Sequence, residues 1–156
     1  MLKKLLILGI LVLTSFSVRT QTNAPPTLDA TGDQFYCPQS QINIVSSFNI
    51  TDPDDTQIEA LYIQISQGYV FGQDLLSLTG NHPDILPNWN ANEGKLTLSG
   101  IGGALVSYTD LVAAVSRRIR IRTGLTRALG TPENQHELIF AGPTILGAAR
   151  VKEARL

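Results

Sequence analysis

The chain has 156 residues, room for one domain with a leader and a tail. Its hydrophobic fraction of 43% suffices for a core, and aromatics at 6% rest that core mainly on Leu, Ile and Val. A single cysteine, Cys37, excludes an internal disulfide, so packing or bound ions must hold the domain. The net charge of −1 hides a polarity. Residues 21–116 carry ten acids and one base, Lys95, while residues 117–156 carry eight bases and three acids.

The first twenty residues read as a secretory signal peptide. Lys3 and Lys4 precede the apolar run Leu5–Leu13, and small or polar residues follow at Thr14, Ser15 and Ser17. The run is too short to span a bilayer, so a cleaved leader and no integral span afterwards are expected. Export to the extracellular space or the cell surface follows from it.

Asn23-Ala24-Pro25-Pro26 is a stiff linker suited to the start of an edge strand. Thr27–Ala30 is a candidate strand, and Thr31–Gln34 a turn. Phe35 to Ser40 is expected to cross the top of the domain. Gln41–Ile50 reads as one strand, with Ser46-Ser47 as a bulge. Asp52-Pro53-Asp54-Asp55 is turn chemistry. Three carboxylates within four residues repel unless solvated or neutralised by a cation. A solvated acidic turn is the first reading and a calcium site the second.

Gln57–Ser66 is the clearest strand, apolar on both faces and hence central. Tyr69–Gly72 is short and apolar, and Gln73–Leu78 continues it. Thr79–Asn92, with His82 and Trp89, reads as a loop rich in Gly, Asn and Pro. Glu93-Gly94 turns the chain into Lys95–Ser99, with Leu96 and Leu98 inward. Tyr108–Ser116 has helical spacing, and Asp110 lies in its first turn, where its charge favours the helix dipole. Several short strands and one short helix predict an all-β fold, a β-sandwich of immunoglobulin-like type over residues 21–116.

The series Gln64–Val70, Gly72–Leu76, Trp89–Ala91, Gly94–Gly100, Tyr108 and Leu111–Val115 resembles bacterial cadherin-like repeats over about residues 23–116. Asn23–Leu28 and Asp52–Asp55 resemble that family's linker and Asp-x-Asp turn. The resemblance implies a non-catalytic spacer or adhesion module of a large secreted surface protein, with other surface proteins or glycans as partners and calcium at repeat junctions. It carries over only Asp52 and Asp54 as ligands and leaves Asp55 a bystander. The family's mid-domain Asp-Arg-Glu segment is absent, so a weak site is expected.

The resemblance stops at Ser116. Seven of the eight arginines follow it. Arg118–Arg122 alternates and would add one edge strand, with Ile119 and Ile121 inward. Thr123–Leu156 shows no period, so residues 117–156 are expected to form a basic, irregular tail that leaves the sandwich incomplete. One coding of Ser116–Arg122, shifted by a base, reads Ser-Asp-Val-Phe-Val-Ser-Glu. The tail is therefore read as a shifted frame, and the chain as a fragment of a longer surface protein.

Other chemistries fit less well. Ser99–Leu105 lacks the third glycine and the later acid of a dinucleotide loop. His82 and His136 have neither a nucleophile setting for a triad nor a cysteine partner for zinc. The basic tail lacks interleaved aromatics, and export argues against nucleic acid. No enzyme is expected. The alternative is a secreted carbohydrate-binding or hydrolytic protein of which this is the N-terminal part.

Overall fold

A computed structural model describes residues 23–32, 34–36, 41–122, 135–142 and 145–153. The leader and Cys37 fall outside them. Among these residues thirteen strands and one α-helix follow in order. They are β1 Thr27–Thr31, β2 Gln34–Tyr36, β3 Ile42–Asn43, β4 Ser47–Thr51, β5 Gln57–Ile58, β6 Ala60–Gln67, β7 Leu75–Leu78, β8 Ile85–Asn90, β9 Lys95–Gly100, β10 Val106–Ser107, the helix α1 Tyr108–Arg118, β11 Ile119–Arg122, β12 Gln135–Gly142 and β13 Ile145–Glu153.

The fold is all-β and sandwich-like. Six strands form the larger sheet in the order β2-β13-β12-β6-β9-β8. Facing it are the pair β1-β4 and the three-stranded sheet β3-β11-β7, while β5 and β10 form a short separate pair. The layers meet at Phe48 on β4 and Phe140 on β12, whose ring centroids lie 5.3 Å apart. Alternation sets the inner faces. Leu28, Phe48 and Ile50 are buried from the β1-β4 pair, and Leu61, Ile63, Ile65, Leu96, Leu98, Leu138 and Phe140 from the larger sheet. Helix α1 adds Leu111, Ala114 and Val115 to the same core.

The expected strands at Lys95–Ser99 and Gln57–Ser66 are present, and β6 is central, between β12 and β9. Glu59 interrupts the second of them, so that its first residues pair with β10 instead. Five further differences separate the expected elements from the observed ones. The single strand expected over Gln41–Ile50 is two short strands in different sheets. Ile44 and Val45 are both fully buried, and consecutive residues of one strand cannot share a face, so the chain bends there and passes between sheets. Ser46 N–H donates to Thr31 O at 2.9 Å and fixes the bend.

Residues 71–73 form a turn rather than a strand, and Phe71 is 66% exposed. The expected loop Thr79–Asn92 contains strand β8, paired antiparallel with β9. Its Pro87, Asn88 and Asn90 are poor strand formers, tolerated because β8 is an edge. The hairpin turn supports it: Gly94 adopts φ +62°, and a Cβ there would meet the Tyr69 ring at 2.9 Å. The Tyr69 hydroxyl donates to Ala91 O in the same turn, and its ring lies edge-on to Trp89.

Beyond Ser116, β11 is an interior strand between β3 and β7, not an edge, with Ile119 and Ile121 fully buried as expected. Where no period is legible after Thr123, strands β12 and β13 extend the larger sheet. The reason lies in Leu138-Ile139-Phe140-Ala141. All four are apolar although only Leu138 and Phe140 are fully buried, so the alternation in burial has no matching alternation in residue type.

Candidate functional site

The acidic turn follows β4 directly. Asp52 Oδ1 accepts from the Asp54 and Asp55 amides, both at 3.1 Å. One aspartate thus folds the turn and holds the next two beside itself. Its other oxygen, Oδ2, accepts from the Tyr108 hydroxyl at 2.7 Å. Tyr108 opens α1, so this bond ties the turn to the helix N-terminal end.

The position of that end is fixed locally. Ser107 caps the helix, accepting from the Asp110 amide at 3.1 Å and donating to its carboxylate at 2.6 Å. Tyr108 N–H donates to Thr56 O at 2.9 Å, which anchors the same end to the loop after the acids.

Asp54 faces the N-terminal linker. Its Oδ2 accepts from Ala24 N–H at 2.9 Å, while its Oδ1 is buried with no hydrogen-bond partner. One carboxylate oxygen from each of Asp52, Asp54 and Asp55 lies within 4.8 Å of the others. The structure therefore brings together the two expected ligands, Asp52 and Asp54, and adds Asp55, which the sequence left as a bystander. Neither Glu59 nor Asp110 joins this group.

The electrostatics follow from these bonds. Burial pushes the Asp52 carboxyl up, but hydrogen bonds from Tyr108 and from the Asp54 and Asp55 amides outweigh it and hold the group below the ordinary carboxylate value. Burial raises the Tyr108 hydroxyl, and the bond to Asp52 with the charges of Asp52, Asp55 and Asp54 raises it further, well above the usual tyrosine range. Tyr108 is thus a neutral donor to an ionised Asp52. In the sequence Tyr108 is an apolar position of the helical spacing and part of the resemblance series, with no ligand or hydrogen-bonding role assigned to it. The available signal was its place just after a Ser-x-x-Asp cap, where a long side chain can reach back over the helix end.

Three close carboxylates without an intervening base suit a hard cation. They supply oxygens only, and the partnerless Asp54 Oδ1 is an acceptor that an ion would satisfy. Calcium takes six to eight oxygens, so water or a neighbouring unit would complete the shell.

The remaining chemistry-bearing residues are scattered. His82 sits half-buried before β8, and its carbonyl accepts from Ile85 N–H. The His136 side chain lies outside the described residues. Gly100 ends β9, and Gly102 and Gly103 lie in a 3-10 turn, Ile101–Gly103, that β10 follows, so those glycines do not open α1. Among the described residues no helix is long and apolar enough to cross a membrane. Comparison with family models, with curated proteins and with solved structures returns no match.

Proposed function

We propose that this chain is a non-catalytic extracellular spacer or adhesion module of a surface protein, with a weak calcium site formed by Asp52 and Asp54 and completed by Asp55. The observation that carries the reading is the convergence of three carboxylates at the end of β4, against the linker at Ala24. An ion there would stiffen the junction between this domain and whatever is joined through Asn23–Pro26. That is the mechanical task of a spacer. Other surface proteins or glycans would be its partners.

The site offers three carboxylates, with one buried acceptor, Asp54 Oδ1, free to bind. An affinity of roughly 10⁻⁴–10⁻³ M, as in extracellular calcium modules, is expected. Calcium at several times that concentration would stabilise the fold by about 1–2 kcal/mol. Thermal melts in EDTA and in about 10 mM calcium test this. The wild-type midpoint should rise with calcium. Asp54→Asn and Asp55→Asn should lose most of the rise while keeping the turn, because Asp52 still accepts both amides. Equal midpoints for the wild type in both buffers would reduce the proposal to a spacer without calcium.

A further inference from the structure

We propose that the arginine end of this domain docks on the acidic end of a second copy, head to tail. The two ends are set by α1. At its C-terminal end Arg117 and Arg118 are exposed in the last turn. The chain then enters β11, where Arg120 and Arg122 alternate with the fully buried Ile119 and Ile121. Both arginines therefore project from the outer face of the β3-β11-β7 sheet. Their cross-strand neighbours are Asn43 and Ser77 beside Arg120, and Leu75 beside Arg122, none of them acidic. Among the described residues no ion pair joins an acid to any of the four guanidinium groups.

At the N-terminal end of the helix lie Asp52, Asp54 and Asp55, with Asp110 in the first turn. Eleven residues at 1.5 Å each separate the ends by about 16 Å, far beyond the reach of an ion pair within one molecule. Two unlike ends on one body satisfy each other only between copies, through a heterologous contact. Charge complementarity selects a second copy, because the acid that matches this face belongs to the same chain.

Sedimentation velocity on the full chain tests this. Working in EDTA leaves the calcium reading untouched by the result. Concentration-dependent association is expected in about 20 mM salt and should be at least roughly tenfold weaker in about 300 mM, where the Debye length is shorter than the patch. Arg122→Glu and Asp55→Lys, both at exposed positions, should each run as monomers, Arg122→Glu with an unchanged melting midpoint. Mixing the two variants should restore association, since each then presents the charge the other lacks. Arg117→Glu serves as a second reversal on the helix. A wild-type chain that is monomeric at low salt overturns the proposal, as does association that survives high salt or the single reversals. Retention of that monomer on a sulfated polysaccharide would assign the arginines to an external polyanion instead.

Discussion

Asp52 and Tyr108 show how one hydrogen bond can do two jobs. The bond orders an acidic turn and pins a helix end, and it also sets the pH response of the fold. Asp52 is held below its ordinary value, so its contribution is present above about pH 4 and is lost as pH falls through the depressed folded value. Tyr108 is raised, so its contribution is present below about pH 10 and is lost as pH climbs toward its folded value. Tyr108→Phe removes the tyrosine effect and the largest of the hydrogen bonds that hold Asp52 low, while the Asp54 and Asp55 amides still act on it. Urea midpoints measured from pH 3 to 11 should show a shallower acid limb and a smaller loss above pH 10, the remainder belonging to Tyr69, which burial and the Asp74 charge also raise. Identical profiles for the two proteins would show that the bond carries no linkage. The Asp-x-Asp-Asp turn was legible because Pro and Asp are local turn chemistry. Its partner was not, because Tyr108 lies 56 residues away and pairing at that range is decided by packing.

At the scale of elements, β8 is an edge strand with its outward donors removed. Residues on one side of an antiparallel strand alternate, so positions 85, 87 and 89 turn their amides away from β9. Ile85 N–H is taken by His82 O at 3.1 Å, and Pro87 has no N–H. Only Trp89 is left to donate outward from that set. The same proline and asparagines that made this stretch read as a loop are what make it a safe edge. Pro87→Val returns one outward donor and raises strand propensity. Light scattering in about 300 mM salt, where charge-driven contacts are screened, should show more self-association for the variant than for the wild type. No difference would mean that the edge is protected by something other than Pro87. Elements set by local pattern were read well. Lys95–Ser99 alternates cleanly, and Tyr108–Ser116 carries its own cap. Strands set by neighbours were not. β3 and β4 divide because Ile44 and Val45 are both buried, and β8 exists because β9 offers it a ladder.

For the whole molecule the question is what closes the core begun by β6 and β9. Strand β12 lies against β6 over Gln67↔Glu137 to Tyr62↔Ala141, with an irregularity between Glu137 and Leu138. That irregularity decides which side chains face the opposite layer, because a slip of one residue exchanges the faces of a strand. In the observed register Leu138 and Phe140 are fully buried, and Phe140 meets Phe48 across the layers. Ile139 and Ala141 lie on the other face, half-buried. Phe140→Ala should therefore cost about 3–5 kcal/mol, and Leu138→Ala about 2–5 kcal/mol, through the cavities left behind. Ile139→Ala should cost roughly 1 kcal/mol, since less of its surface leaves water on folding. Chemical denaturation of the three variants reads the order directly. If Ile139→Ala proved the costliest, β12 would sit one residue out of the observed register, and Phe48 would face a different partner. Three equally mild variants would mean that the strand contributes little to the core. The predicted order requires that residues beyond Thr123, which carry no legible period of their own, close a core whose pattern is written upstream in Leu61, Ile63 and Ile65.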